Sequence, residues 1–130
     1  MDEEEANSLI RAYLQENIPS AVEQKNGKIV VYFEDGALNF GSGRKYECKI
    51  ESVEEVSNAT IKQRDGSSKE IEGNILKIKI DSNNRYLTFY IREDKGDLQI
   101  DVMMQEKVAI VPNVKDMQAD TTRKMPMRMR

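Results

Sequence analysis

The chain has 130 residues, of which 33% are charged and 38% hydrophobic, and its formal net charge is −3. This length suits one domain, and the composition is globular rather than disordered, while the net charge is too small to indicate a nucleic-acid or membrane partner by itself. The chain contains no histidine and one cysteine, which excludes an internal disulfide and removes the most common general base and metal ligand. We therefore expect no metal, no cofactor and no enzymatic activity.

The first residues of the chain do not resemble a secretion signal. Glutamates occupy positions 3 to 5, where a signal peptide carries basic residues, and no apolar run follows them. No stretch approaches the roughly 20 apolar residues of a membrane span. We therefore expect a cytoplasmic protein without a membrane-bound form.

Residues 2–17 are predicted to form an amphipathic helix. Asp2, followed by Glu5 three residues later, resembles a capping box. Pro19 ends the helix, because the residue before a proline is disfavoured in the helical conformation. The residues that recur at helical spacing and form one apolar stripe are Ala6, Leu9, Ile10, Tyr13 and Leu14. This stripe has to be buried against another element.

Residues 21–73 are predicted to form short strands joined by turns. Residues 20–25 are weakly extended, and Asn26-Gly27 is a strong hairpin signal. Alternating apolar residues predict a strand at 28–33. Further extended pieces are predicted at 37–40, 45–53 and 59–64, with turns at 34–36, 41–45 and 65–68.

The clearest strand pattern lies in residues 74–104. Three runs of alternating apolar residues are separated by turn residues at 81–85 and 92–97. Short connections of this kind make neighbouring strands antiparallel. The predicted apolar face consists of Leu76, Ile78, Ile80, Leu87, Phe89, Ile91, Leu98, Ile100, Val102 and Met104. The rest of the chain has to cover this face.

The C-terminal part differs in charge and in pattern. A last short strand is predicted at 108–111, stopped by Pro112, and residues 113–130 then lose all periodicity. This segment carries five cations against two acids, whereas residues 1–112 carry fifteen cations against twenty-one acids. We predict one domain, 1–112, with its sheet within 21–111, and a disordered, mildly basic tail, 113–130.

The predicted fold is α+β, with the N-terminal helix packed on a curved, mostly antiparallel meander sheet of six to eight strands. This order of elements resembles the cystatin-like and helix-wrapped folds, and the resemblance implies a fold but no function. The alternative is a closed, lipocalin-like barrel with a ligand cavity. The helix favours the wrapped sheet, because five apolar side chains gain roughly 1.5–3 kcal/mol each on burial.

Patterns that could support catalysis have structural explanations. Glycines at 41 and 43 precede two cations, but the phosphate-binding Walker pattern is absent. Residues 81–85 begin like a calcium loop and lack its later ligands. Cys48 is expected to be a structural thiol, since no histidine can activate it. A carboxylate-based enzyme, using acids such as Asp94, Asp97 and Asp101, remains an alternative.

The face opposite the apolar one suggests a binding surface, formed by Tyr32, Tyr86, Thr88 and Tyr90. We predict a non-enzymatic module that binds another protein or its own copy through this surface. One alternative is a carrier of a small apolar ligand, and another is a binder of single-stranded nucleic acid, in which tyrosines stack on bases. The predicted accessory basic residues are Arg85, Arg92, Arg123, Lys124, Arg128 and Arg130.

Overall fold

The computed structural model describes residues 1–22, 29–41 and 43–107. These residues form helix α1 (Glu3–Asn17), a 3₁₀ turn (Pro19–Ala21) and seven strands: β1 (Tyr32–Glu34), β2 (Ala37–Asn39), β3 (Lys45–Glu47), β4 (Lys49–Lys62), β5 (Ser68–Ser82), β6 (Arg85–Asp94) and β7 (Asp97–Glu106). One antiparallel sheet has the order β1-β2-β3 and the other β4-β5-β6-β7. The α+β class with an N-terminal helix is confirmed. The described strands form two sheets instead of one meander, and neither sheet closes into the alternative lipocalin-like barrel.

Helix α1 begins and ends as its sequence predicts. The Asp2 carboxylate accepts a hydrogen bond of 2.8 Å from the Glu5 backbone N–H, which is the N-cap interaction. At the other end, the Ile18 N–H donates to the Leu14 carbonyl before Pro19 follows. The predicted stripe needs one correction, because Leu9 is 43% exposed. The helix residues that are buried are Ala6, Ile10, Tyr13 and Leu14.

The three alternating runs of residues 74–104 form three neighbouring strands, β5, β6 and β7. Ile78 pairs with Phe89, and Phe89 pairs in turn with Val102. Paired residues lie on the same side of a sheet, and side chains alternate along each strand. The register therefore places the predicted apolar residues on one face, as expected.

Helix α1 and the three-stranded sheet cover this apolar face. The Phe40 ring lies 5.0 Å and the Tyr46 ring 5.4 Å from the Phe89 ring, measured between centroids. The Asn7 side chain joins the helix to β1, because its Nδ2 donates to the Phe33 carbonyl at 2.9 Å and its Oδ1 accepts from the Phe33 N–H at 2.8 Å. The main core therefore contains residues from the helix and from both sheets.

Strands β4 and β5 form a hairpin that is much longer than predicted. The extended pieces expected at 45–53 and 59–64 are divided differently, because the chain leaves the first sheet at Cys48 and then continues as the single strand β4. The pairing with β5 shifts between Val56 and Asn58. Gly73 lies opposite this irregularity with a φ of +115°, a conformation that residues with a Cβ rarely adopt. The hairpin therefore bends at this point.

The distal half of this hairpin, residues 57–73, packs on the second face of the four-stranded sheet. Ile61 and Ile71 form a second cluster with Ile75 and Tyr90. The Lys69 Nζ lies 3.1 Å from an Asp101 carboxylate oxygen, which ties β5 to β7. Both faces of the sheet therefore carry buried side chains.

The region before β1 differs from the prediction. Residues 19–21 form a 3₁₀ turn instead of extended chain, and among the described residues of the predicted strand 28–33 the pairing begins at Tyr32. Strand β1 begins at Tyr32 because the last residue of β2, Asn39, pairs with it. The next residue, Phe40, donates its N–H to the Arg44 carbonyl instead. The predicted Asn26-Gly27 hairpin, the strand at 108–111 and the tail lie outside the described residues.

Candidate functional site

A groove of about 520 Å³ lies at the β7 edge of the apolar face. We name it the β7 groove and define it by its lining residues: Tyr46, Lys62, Gln63, Arg64, Arg85, Leu87, Val102 and Met104. Its volume falls within the range of roughly 300–1,000 Å³ that is typical of ligand-binding pockets.

The β7 groove exists because the apolar face is wider than the elements that cover it. Tyr46 packs on Phe89 and forms the wall nearest the core. Leu87 on strand β6 is 3% exposed, whereas Val102 on the adjacent strand β7 is 40% exposed. The distal end of the β4–β5 hairpin, at residues 62–64, forms the opposite side of the groove. Apolar side chains of β7 therefore reach solvent in a concave site.

The rim of the β7 groove is cationic. Lys62, Arg64 and Arg85 line it, and none of the described lining residues is acidic, although the chain as a whole carries a net charge of −3. Lys62 and Arg64 are exposed, while Arg85 is half-buried, with one guanidinium nitrogen 3.1 Å from the Met104 sulfur. The groove thus combines an apolar floor with a positive rim, which suits an amphipathic anionic ligand.

The structure separates the four residues of the predicted partner surface. Thr88 and Tyr90 are 7% and 3% exposed, and Ile61 and Ile71 of the distal hairpin cluster with Tyr90. They do not contribute to the exposed surface that the alternation suggests. Burial also raises the pKa of the Tyr90 hydroxyl, as expected when the charged form loses water.

Tyr86 is half-buried between two lysines. The Lys107 Nζ lies 4.9 Å from the centroid of its ring, and the Lys79 Nζ lies 5.7 Å from it, within the range of cation–π attraction. Lys107 also lies 2.6 Å from an Asp81 carboxylate oxygen, and this hydrogen bond raises the pKa of the lysine. The ring of Tyr86 is therefore already occupied by cations of the same chain.

Tyr32 lies in the other sheet, in a separate groove of about 450 Å³. Among the described residues that line this groove, Arg11 is a cation and Glu34 is an acid. The structure does not bring Tyr32 together with Tyr86, Thr88 and Tyr90.

The predicted accessory cations are likewise dispersed. Arg85 lies in the β7 groove, whereas Arg92 approaches Asp101 at 3.5 Å on the other face of the sheet. The Arg92 Nε is buried without a hydrogen-bond partner among the described residues. The tail cations Arg123, Lys124, Arg128 and Arg130 lie outside the described residues.

Cys48 lies half-buried at the junction between the two sheets. Its backbone N–H donates to the Gly36 carbonyl at 3.0 Å. Burial raises the pKa of its thiol, and the acids Glu3 and Asp81 act in the same direction. A raised pKa lowers the fraction of thiolate, which is the reactive form.

Most residues of the β7 groove are not predicted as a site by the sequence. Alternation placed Val102 and Met104 on the apolar face, but it carries no information on which end of that face remains uncovered. Lys62 and Arg64 fall at the end of a predicted strand, next to a turn. Two cations at alternate positions beside a turn are common on solvated surfaces, so this pattern does not by itself indicate a site.

The helices in the described part of the chain are too short and too polar to span a lipid bilayer. Within residues 1–22, 29–41 and 43–107, no group of three or more acidic or cysteine side chains is arranged to hold a metal ion. Comparisons with protein-family models, with curated proteins and with solved structures found no match.

Proposed function

We propose that this protein is a non-enzymatic binding module that takes up a segment of a protein chain in the β7 groove. The segment would carry apolar side chains for the floor of the groove and acidic side chains for its rim. The observation that supports this proposal is the lining of the groove, in which exposed Val102 lies among Lys62, Arg64 and Arg85 in an otherwise acidic chain.

The charge distribution supports a specific ligand class. Lys69, Arg92 and Lys107 form ion pairs, whereas no acidic side chain within the described part of the chain pairs with the three cations of the rim. Cations around an apolar centre attract an acidic partner and select against a basic one. The apolar floor adds affinity when Val102 and Met104 lose contact with water.

Two observations favour a protein ligand over the alternatives. The groove combines the exposed Val102 with a cationic rim, which suits a segment that carries both apolar and acidic side chains. Tyr86 of the predicted surface has two lysines over its ring, which disfavours stacking on a nucleic-acid base. Absence of histidine from the whole chain further supports binding instead of acid–base catalysis.

The proposal is tested with two fluorescein-labelled peptides of the same length and leucine content, one with glutamates and the other with lysines at the polar positions. We expect fluorescence anisotropy to show binding of the glutamate peptide alone. The double variant Lys62→Glu and Arg64→Glu should weaken this binding about tenfold or more, since two exposed charges are reversed. Both residues are exposed, so the fold should survive.

The matched control is the double variant Lys49→Glu and Lys79→Glu, which makes the same change in net charge at exposed positions outside the groove. It should bind the glutamate peptide as the unmodified protein does. Equal binding of both peptides, or equal loss in both double variants, would contradict the proposal. Binding of oleate or of an oligothymidylate in place of the peptide, through Lys62 and Arg64, would replace it with the apolar-ligand or nucleic-acid alternative.

A further inference from the structure

Helix α1 presents an exposed flank that is complementary to the β7 groove. Leu9 is 43% exposed, and helical spacing places Glu5, Ala12 and Glu16 on the same side of the helix. All four side chains are exposed. We name these four residues the α1 flank.

The α1 flank has the composition that the β7 groove requires. It carries two acids around an exposed leucine and no cation, since Arg11 lies on a different side of the helix. Among the described residues, the large hydrophobic side chains that are exposed are Met1, Leu9 and Val102. Leu9 thus lies among acids, whereas Val102 lies among cations. Apolar side chains surrounded by opposite charges are a complementary pair.

One molecule cannot bring these two surfaces together. The buried side of α1 is anchored on the main core through Ile10, Tyr13 and Leu14, and Asn7 is hydrogen-bonded to Phe33 of β1. The α1 flank is therefore held on the exposed part of the helix surface, and the β7 groove lies at the edge of the sheet. Only a second molecule can place its flank in this groove.

We propose that the ligand of the β7 groove is the α1 flank of a second copy of this chain. This inference rests on the proposed function of the groove and names its partner. Leu9 of one copy packs on Val102 and Met104 of the next, while Glu5 and Glu16 face the cations of the rim. The two surfaces are different, so the contact is heterologous, and each added copy exposes a new groove at one end and a new flank at the other.

Two variants that each remove one surface test this geometry. The groove variant carries Lys62→Glu and Arg64→Glu. The flank variant carries Glu5→Gln, Leu9→Gln and Glu16→Gln, all exposed positions at which glutamine is a good helix former. Native mass spectrometry and sedimentation velocity give the state of each protein alone and of an equimolar mixture.

We expect the unmodified protein to form multiples of its 14.9 kDa mass, with a fraction that falls as salt rises from about 50 to 500 mM. Each variant should be a monomer on its own. Their mixture should form a dimer of one groove variant and one flank variant and go no further, because one intact groove and one intact flank remain. The Lys49→Glu, Lys79→Glu control should still assemble.

A mixture that stays monomeric, or either variant that still assembles by itself, would overturn the second-copy inference. A bare monomer for the unmodified protein at about 100 μM would do the same, since a weak specific contact is detectable there. The peptide-binding measurement distinguishes a failure of this inference from a failure of the proposed function. If the monomer binds the glutamate peptide and the groove variant does not, the groove binds protein but its partner is not this chain.

Discussion

The Tyr13 hydroxyl donates a hydrogen bond of 2.9 Å to the backbone carbonyl of Ile91, and this contact joins helix α1 to strand β6. The same hydroxyl lies 2.8 Å from the Asn74 carbonyl on β5. Tyr13 is fully buried, and its pKa rises to about 12, first because of burial and then because of the charge on Glu55. One side chain therefore fixes the helix on two neighbouring strands.

Replacing Tyr13 with phenylalanine should lower the free energy of unfolding at pH 7 by about 1–3 kcal/mol, because two carbonyls lose their donor. The folded-state pKa is raised, so the stability contributed by the neutral hydroxyl is complete below pH 10 and is lost as pH rises through about 12. The difference between the two proteins in urea unfolding should therefore shrink above pH 10. Tyr32→Phe serves as the control, and a difference that is constant with pH would contradict this assignment.

Asn7→Ala should destabilise the contact between helix α1 and the three-stranded sheet. The Asn7 amide satisfies both the N–H and the carbonyl of Phe33, and alanine leaves both groups without this partner. We expect a loss of about 1–3 kcal/mol in denaturant unfolding. Ser8→Ala, one residue along on the exposed side of the helix, should change stability by less than about 0.5 kcal/mol. Equal effects of the two substitutions would show that the Asn7 bonds contribute little.

Ile71→Ala should loosen the distal hairpin before the rest of the protein. Ile71 is 6% exposed in the second cluster, and a substitution of this type costs about 2–5 kcal/mol in a core. Hydrogen exchange measured by mass spectrometry should increase most in residues 57–73, since this part contacts the sheet through few side chains. Ile78→Ala, in the main core, should instead raise exchange in α1 and β6 as well. Uniform exchange in both variants would mean that the two clusters unfold together.

The Cys48 thiol should react slowly in the folded protein. Burial raises its pKa, so the thiolate fraction at pH 7 falls below that of an ordinary cysteine. We expect the reaction with a coloured disulfide reagent, followed by absorbance, to be about tenfold slower than for the same protein unfolded in urea. Equal rates in the two states would identify Cys48 as an accessible, reactive thiol.

Several features of this protein follow from local rules and were predictable from the sequence. Asp2 and Pro19 bound the helix through capping and backbone sterics, and both effects operate within a few residues. The alternation in residues 74–104 sets which side chains share a face, because a strand repeats every two residues. Antiparallel order follows from the short turns at 83–84 and 95–96.

Other features depend on contacts between distant residues. Tyr90 and Leu9 show this most clearly: alternation placed Tyr90 on an outer face and helical spacing placed Leu9 on the buried stripe, yet Tyr90 is 3% and Leu9 43% exposed. The distal hairpin covers Tyr90, and its path depends on the pairing shift at Val56 and on the positive φ of Gly73. A side chain can be assigned to a face from sequence, but its burial depends on what packs against that face.

The β7 groove depends both on local sequence patterns and on contacts between distant residues. Strand periodicity is enough to place Val102 and Met104 on the apolar face, and the turn residues Asp65 and Gly66 are enough to place Lys62 and Arg64 just before a turn. Packing between distant parts of the chain leaves Val102 exposed on β7 and brings the cations of the hairpin end to the same place. Coverage and proximity depend on the relative lengths and packing of separate elements, and no local pattern contains this information.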